Sequence, residues 1–547
     1  MNKKTSLTIR PVRLGGLPLV HSVAQKLDLM KTLERLVPTD PRDKIPVSKT
    51  LYVILCNVIL ERFPLYKIEE WAANRQLIPA QLISCLNDDR VGRALHRLFR
   101  SDRSSLMTSV ILKAVQEYNL QCDRIHNDST TVTLFGQYDI DHKAAKPKRG
   151  HNKDHRPDLK QLLFSLSVCG DEAVPLYFKV WDGNVTDDKT HLRNWMALRG
   201  LLGRADFTYV ADSKLCTREN MEFIASEGGS FITVLTKTRS EDKTFKDWIQ
   251  ENTPSWQEVL RHKKDRQPDS IWWAFESPSL SSEGFRILWI KSSDKQRQDE
   301  ETRRSKIDKT VEALTLLQGQ SHRSHDRLEA ALKDVFQENH SEPYFYWQVI
   351  RRTEESFKQS HRGRPRADSS YRKIEKVTYT FSWSHHQEVI RYEARCDGLF
   401  PLVTNRKDPA SEILGIYKYQ PRLEKRHEQL KSVYHVAPVF LKHPERIEAL
   451  LFIYFLALLM TALMERTVRK AMKERGIESL PIYPEQRECR KPTADKILDL
   501  FRDVRKQTIL KMGRPVETIP DDLSAVQEQV LGLFQMKPSD FFQARSA

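Results

Sequence analysis

Two aspartates at the ends of apolar runs constrain the fold of this chain more than any other feature. Asp128 lies in Arg-Ile-His-Asn-Asp-Ser-Thr-Thr-Val, and Asp212 lies in Phe-Thr-Tyr-Val-Ala-Asp-Ser-Lys. Runs of this length and composition predict β-strands, which would deliver both side chains to one edge of a sheet. A third acidic residue, Glu424, lies on a charged stretch of helical character. The sequence thus predicts an α/β core in which two strands and a helix carry three carboxylates.

Three converging carboxylates have a chemical consequence that a single one lacks. An isolated aspartate at a strand end is most often a solvated turn residue. Carboxylate oxygens are also ligands that Mg²⁺ prefers, and a pair of such ions can activate one oxygen and stabilise the leaving oxygen in phosphodiester cleavage. The set of three, with its flanking residues, favours a metal-dependent nuclease site over three unrelated turns.

The segments around these residues follow a recognisable order. Short apolar runs bounded by Gly, Asp and Pro predict an antiparallel meander, formed by 122–127, 162–169 and 174–181. Helices and strands are then expected to alternate, as a helix at 191–202, a strand at 207–211, a helix at 218–226 and a strand at 231–235. This order matches that of an RNase H-like fold, whose final helix would bring Glu424 beside the two aspartates.

Several motifs in this stretch resemble one family. Tyr417, Glu424 and Lys431 have the spacing of the Tyr-Arg-Glu-Lys motif found in DDE transposases of bacterial insertion sequences, in the IS-four-like branch that carries an insertion before the catalytic Glu. The Arg position of that motif holds Gln420, and an arginine, Arg422, follows two residues later. Further likeness to the branch lies in Gly150–Gln161, Asp182–Asp187 and Pro444–Ala449. The resemblance covers most of the chain from about Asp128 to Lys442, and the last of these segments lies just beyond that stretch.

The resemblance implies a transposase that binds the terminal inverted repeats of an insertion sequence, cleaves at the element ends and joins them to target DNA. Asp128 is then expected to bridge two Mg²⁺ ions, for which Mn²⁺ may substitute, while Asp212 and Glu424 each complete the shell of one ion. The implied partners are double-stranded DNA, as transposon ends and target, and a second copy of the chain in a homodimer on DNA. Tyr417, Arg422 and Lys431 become candidate DNA contacts.

The charge balance favours a polyanionic partner. Lys and Arg number 89 against 73 Asp and Glu, which gives a formal charge of +16, and basic proteins gain affinity for nucleic acid through counterion release. Basic residues are dense from Lys143 to Lys160, where we expect Lys153, Arg156 and Lys160 to bind the DNA backbone. The histidines of this stretch could suggest zinc, but no Cys or second spaced His pair accompanies them. Asp182, Asp187 and Asp188 are interpreted as a turn and helix cap.

Composition divides the chain into five parts. Residues 1–120 are predicted to form a helical domain, and a basic cluster there favours DNA binding over a plain structural bundle; it comprises Arg90, Arg93, Arg97, Arg100 and Arg103. Residues 121–236 and 400–465 are predicted to be two parts of the catalytic core. Between them, 237–399 is too long for a loop and predicts an inserted β-rich domain with polar helices. Its strand-like runs are 270–276, 285–291, 377–383 and 389–394. Residues 466–547 are predicted to be a helical tail that contributes dimer contacts or further DNA binding.

Tryptophans concentrate in the predicted insertion. Core and sheet packing is the general role of such residues. Relatives with this insertion can use a Trp to stack on a base flipped from the transposon end, and Trp347 and Trp383 are candidates for that role.

Cellular location is predicted from several further features. The longest apolar run, 449–463, is shorter than the roughly 20 residues of a spanning helix and predicts a buried helix, so no membrane partner is expected. Seven cysteines without a Cys-x-x-Cys pair argue against a disulfide framework. We also expect no secretory signal. The chain is therefore predicted to be cytoplasmic and nucleoid-associated when bound to DNA.

Two other functions compete with transposition. A DNA-binding protein derived from a transposase would keep the fold without mobility, although the three acidic positions are intact. A cellular RNase H-like nuclease is disfavoured by the long insertion and the N-terminal helical domain.

Overall fold

The computed structural model describes residues 7–138, 143–264, 268–436, 441–511 and 514–543. The chain forms two compact units. The first comprises 1–233, 404–407 and 412–547, and the second comprises 234–403 and 408–411. The whole of the predicted insertion, 237–399, thus falls within the second unit.

The strands are β1 (Leu7–Arg13), β2 (Arg124–Leu134), β3 (Lys160–Cys169), β4 (Pro175–Trp181), β5 (Thr208–Val210), β6 (Ser230–Val234), β7 (Gln257–His262), β8 (Ser270–Glu276), β9 (Arg286–Ser292), β10 (Phe345–Gln359), β11 (Tyr371–His385), β12 (Leu399–Thr404), β13 (Arg505–Lys511) and β14 (Arg514–Pro520).

The α-helices are α1 (Leu17–Lys26), α2 (Leu29–Leu36), α3 (Val47–Leu60), α4 (Ile68–Ala73), α5 (Asp88–Arg100), α6 (Arg103–Tyr118), α7 (His191–Leu202), α8 (Arg218–Ser226), α9 (Ser240–Glu251), α10 (Ser293–Gln318), α11 (His325–Asn339), α12 (Gln387–Cys396), α13 (Ala410–Tyr417), α14 (Gln420–Glu428), α15 (Pro444–Glu474), α16 (Ala494–Leu500), α17 (Ala525–Leu533) and α18 (Pro538–Gln543).

A mixed sheet organises the first unit, in the strand order β4-β3-β2-β5-β6. β2, β3 and β4 pair antiparallel, as the meander prediction required. β5 then runs parallel to β2, and β6 runs parallel to β5. The helices α7 and α8 supply the connections that parallel strands need. The mixed α/β class predicted from the sequence is therefore confirmed.

The core helix of the first unit is α15, 31 residues long. Its length and composition would allow it to cross a membrane, but 89% of its most apolar window is buried inside the protein. It packs against α3 and α5 of the N-terminal helices and against β4. Phe178 of β4 stacks on Phe455 of α15 with ring centroids 4.6 Å apart. The prediction of a buried helix in this region is confirmed. The helix, Pro444–Glu474, is longer than the apolar run 449–463 from which it was predicted.

The C-terminal region departs from the predicted helical tail. β13 and β14 form a hairpin, and β13 pairs antiparallel with β1 at the other end of the chain. The β-branched residues Thr508 and Ile509 suit a strand. The sheet forms only because β13 pairs with a segment almost 500 positions away along the chain. Further contacts of this region lie with α15, which packs on α16 and α17. The C-terminal region is thus built into the first unit.

The second unit contains the strand order β12-β9-β8-β7 and a separate hairpin of β10 and β11. The base of this hairpin packs on α10 and α11 around the buried residues Leu314, Leu332 and Phe336. Trp347 and Trp383 face each other in the hairpin register and pack against this cluster, so both take a structural role. One stretch expected to be a strand, 389–394, is instead part of α12.

Candidate active site

The sheet of the first unit places two of the predicted acidic residues at the same level. Arg124 and His126 of β2 pair with Thr208 and Val210 of the parallel strand β5. Continuing this register by two residues brings Asp128 level with Asp212, which lies two residues after the end of β5. The sequence suggested that Asp128 ends its strand, but β2 continues to Leu134 while β5 stops at Val210. Asp128 therefore lies within β2, and Asp212 lies just beyond β5.

Both carboxyl groups lie in surroundings that resist negative charge. Burial is the main cause of the raised pKa of Asp128, and Asp187 raises it further while Lys153 opposes the shift. Burial also raises the pKa of Asp212, and the carboxylates of Asp128 and Asp187 add to it. Asp212 is held in place at the start of a 3₁₀ turn, where its side chain accepts a hydrogen bond from the backbone N of Lys214 at 3.0 Å. Partly buried carboxylates that repel one another in this way favour a bound cation.

Glu424 lies on α14, whose position against β2 is fixed by Gln420. The Gln420 amide donates to the backbone O of Asn127 at 3.1 Å and its oxygen lies 3.0 Å from Nδ1 of His126. The residue that replaces the arginine of the family motif thus anchors the helix to the strand of Asp128. Glu424 itself is solvent-exposed. Among the residues that the structure describes, no three His, Cys, Asp or Glu side chains are close enough together to hold a metal ion.

Tyr417 lies close enough to both Asp212 and Glu424 for their charges to shift its pKa. Burial raises the pKa of the Tyr417 hydroxyl to about 12, and the carboxylates of Asp212 and Glu424 both contribute to the shift. Tyr417 therefore lies within electrostatic range of two of the three predicted acidic residues.

The other predicted DNA contacts differ in how freely they can meet a phosphate. Lys431 forms an ion pair with Asp154 at 2.6 Å. Arg422 pairs with Glu172 at 3.3 Å and stacks on Tyr419. These pairs hold both side chains against their own chain in this structure.

The basic stretch before β3 is also partly neutralised. Arg156 makes two hydrogen bonds to Asp158, at 2.9 and 2.8 Å, and Lys160 donates to the backbone O of Gln137. Lys153 Nζ donates to the backbone O of Ser129 and lies 3.7 Å from Asp128 Oδ1. Lys153 is thus the predicted DNA contact that the structure brings to the acidic pair.

The basic cluster of the N-terminal helices is largely structural. Arg90 is buried, with 3% of its surface exposed, and pairs with Asp43. Arg97 pairs with Asp40 and Asp43, and Arg103 pairs with Glu448 at 2.8 Å. Three of the five arginines are thus used in ion pairs within the protein, and DNA binding by the N-terminal helices stays a prediction.

Two residues of the site were missed by sequence reasoning. Asp187 was interpreted as part of a turn and helix cap; it does open a 3₁₀ turn, but the N-cap of α7 is Thr190. His427 is 7% exposed, and Nε2 lies 3.7 Å from Asp128 Oδ2. Burial lowers its pKa to about 3. Its position one turn after Glu424 on α14 was the available signal, since helical residues three apart share a face.

Comparisons with known proteins give limited information. Residues 10–112 match the model of a domain of unknown function, DUF4277, and no curated protein matches the sequence significantly. Among solved structures, the chain is similar to that of a piggyBac transposase synaptic complex with hairpin DNA, with 8% sequence identity and a TM-score of 0.36 over 83% of this chain and 77% of that one. A similarity at this level does not establish a shared function.

Proposed function

We propose that the chain is a DDE transposase that binds the terminal inverted repeats of an insertion sequence, cleaves DNA at the element ends and joins them to target DNA. The observation that carries this proposal is the placement of Asp128 and Asp212 at one level of neighbouring parallel strands. The strand order β4-β3-β2-β5-β6, with its antiparallel meander and two parallel strands, supports an RNase H-like core. The family motif around Glu424 supplies the third acidic residue.

Asp128, Asp212 and Glu424 are oxygen donors of the kind that divalent cations prefer, and they would have to move closer together than in this structure to hold such ions. Asp128 and Asp212 carry raised pKa values because burial and like charge disfavour their ionised forms, and a cation would relieve both effects. Asp128, Asp212 and Glu424 would hold two Mg²⁺ ions, with Mn²⁺ as a substitute. Such ions supply an activated water or hydroxyl and stabilise the leaving oxygen of a phosphodiester. The exposed position of Glu424 on α14 allows it to reach the cluster from the solvent side.

The protein's own cations would then position the DNA. Lys153 lies next to the acidic pair, and Lys431 lies in the π-helical turn that follows α14. A phosphate can replace Asp128 as the partner of Lys153 and Asp154 as the partner of Lys431. Arg156, Lys160 and Arg422 would add backbone contacts further from the metals, and Tyr417 would contact the phosphate beside Glu424. We place the protein in the cytoplasm, associated with the nucleoid when it binds DNA. All seven cysteines are free thiols, which suits a reducing compartment.

The decisive experiment measures binding and cleavage separately. Asp128→Asn, Asp212→Asn and Glu424→Gln should each lower strand cleavage about a thousand-fold in Mg²⁺, since several kcal/mol of transition-state stabilisation are lost. Binding to DNA that carries the element's ends should remain close to that of the unmodified protein. Asp182→Asn, in a neighbouring loop, is the control that should keep both activities.

The same experiment distinguishes a transposase from the alternative function, that of a DNA-binding protein derived from a transposase. Specific binding to the ends with no cleavage by the unmodified chain would indicate a DNA-binding protein derived from a transposase. Cleavage that survives in any one of the three variants would exclude that residue from the site.

A further inference from the structure

Two loops that follow different strands are held together beside Asp128. Gly150, in the loop before β3, lies so close to Gly183, in the loop after β4, that a Cβ on Gly150 would overlap the backbone O of Gly183, and a Cβ on Gly183 would overlap the backbone O of Gln161. The Gln161 side chain donates to the backbone O of Gly183 at 2.8 Å and to that of His151 at 3.2 Å. No other residue fits at Gly183. This packing fixes Lys153 and Asp187, which lie just beyond the two glycines, next to each other.

Lys153 lies between two carboxylates as a result. Its Nζ is 3.7 Å from Asp128 Oδ1 and 3.7 Å from Asp187 Oδ2. The side chains of Asp128 and Asp187 are 22% and 18% exposed. The ammonium group therefore occupies the position at which one cation can neutralise both partly buried carboxylates.

Polar atoms around this position lack partners. The Oδ1 atom of Asp187 is buried without a hydrogen bond, and so are both ring nitrogens of His427. His427 faces the other oxygen of Asp128, with Nε2 at 3.7 Å from Oδ2. Burying such groups unpaired is costly unless a further ligand satisfies them. Carboxylate oxygens and a neutral imidazole together form a donor set that a divalent cation such as Mn²⁺ accepts.

We propose that Asp187 is a fourth acidic residue of the site and that Asp128 and Asp187 share a divalent cation at the position that the Lys153 ammonium now holds. The proposal rests on the function proposed above and adds a ligand to it. Lys153 then has two alternating partners: the two carboxylates when the metal is absent, and a DNA phosphate when the metal is bound. The described side chains are not within metal-binding distance as they stand, and the withdrawal of Lys153 is the movement that lets the carboxylates close on the ion.

Calorimetric titration of the full-length protein with Mn²⁺, in the absence of DNA, tests this proposal. Asp187→Asn should weaken Mn²⁺ binding at least about tenfold, in the range that loss of a metal-site residue causes. Lys153→Met should strengthen binding, because it removes the competing cation. Asp188→Asn changes the same charge one residue along, outside the pair that Lys153 bridges, and should bind Mn²⁺ as the unmodified protein does.

The possible outcomes separate this inference from the proposed function. If Asp128→Asn loses Mn²⁺ binding and cleavage while Asp187→Asn keeps both, the function stands and Asp187 is overturned as a ligand. If Lys153→Met binds Mn²⁺ no more tightly, the competition between ammonium and metal is overturned. If the unmodified protein neither binds Mn²⁺ nor cuts DNA, the proposed function itself fails. Circular dichroism of each variant identifies any loss of folding.

Discussion

Asp128 shows how a functional carboxylate opposes the stability of its own fold. Its pKa is raised chiefly by burial, so its ionised form is less favourable in the folded protein than in the unfolded chain. When a carboxyl group has a higher pKa in the folded protein than in the unfolded chain, its protonated form stabilises the fold. This contribution to the free energy of unfolding is complete only below the pKa of the unfolded chain, and it is lost as the pH rises through the pKa of the folded protein. At neutral pH the site therefore costs stability, which a bound cation would recover.

This cost predicts that removing the charge stabilises the metal-free protein. Asp128→Asn should raise the melting temperature by a few degrees at pH 7, because burial disfavours the ionised carboxylate in the folded protein and the neutral amide avoids that cost. The gain should shrink as the pH falls towards the unfolded value of Asp, near 3.8, because the carboxyl group then becomes protonated in both states. Differential scanning calorimetry across this range is the measurement. A variant that melts below the unmodified protein at pH 7 would show that the ion pair with Lys153 outweighs the burial cost.

The residues of the site differ in how clearly the neighbouring sequence identifies them. Asp128, Asp212 and Glu424 stand out because strand runs and a motif surround them. Asp187 does not, since its role depends on two glycines that bring separate loops together, and no spacing along the chain encodes that approach. Gln420 likewise looked like a departure from a motif until its hydrogen bonds to β2 showed what it does.

Among the elements, those with local start and stop signals were predicted to the residue. The helices α7 and α8 have the predicted bounds, and α7 ends at Gly203 in the left-handed conformation that glycine adopts readily. β13 and β14 were missed because their partner, β1, lies at the opposite end of the chain. α12 was mistaken for a strand because Val389 and Ile390 favour strands, but helical packing on the hairpin base overrides that preference.

The hairpin of β10 and β11 extends well beyond its packed base, and its connecting loop is basic and exposed. Arg362, Arg364 and Arg366 are all solvent-exposed there. Replacing all three by Ala should weaken DNA binding and reduce the slope of log binding constant against log salt by up to about 3, since each phosphate contact releases close to one counterion.

The second unit also offers a matched control for this prediction. Arg297, Arg304 and Lys333 lie on α10 and α11 and pair with Asp294, Asp308 and Glu329. Replacing these three residues by Ala removes the same charge as the loop variant, but from ion-paired positions. The slope of log binding constant against log salt should therefore stay nearly unchanged. Equal effects of the two triple variants, measured by fluorescence anisotropy over a salt series, would show that only net charge matters and that the loop does not touch DNA.

At the scale of the whole molecule, the main correction concerns the C-terminal region. The sequence suggested that residues after Arg466 were free to form dimer contacts. The structure uses them inside the first unit: Arg466 pairs with Asp171, Phe501 is fully buried, and β13 completes the sheet with β1. Truncation at residue 493 would therefore expose core surface on α15. If the truncated protein failed to form a complex with two DNA ends, misfolding would explain the failure as well as the loss of a dimer interface.

A test of dimerisation must accordingly keep the chain intact. Under the proposed function, each chain supplies one set of catalytic carboxylates, whereas an element has two ends that must be cut and joined together. We therefore expect two chains on each pair of ends, related by two-fold symmetry. Analytical ultracentrifugation of the full-length protein with DNA carrying one end or two ends should give complexes with one and two chains. DNA of the same length and unrelated sequence is the control, and it should not form the two-chain complex. A stable complex that contains two ends and a single chain would contradict the dimer, and the single set of catalytic carboxylates would then have to act on both ends in turn.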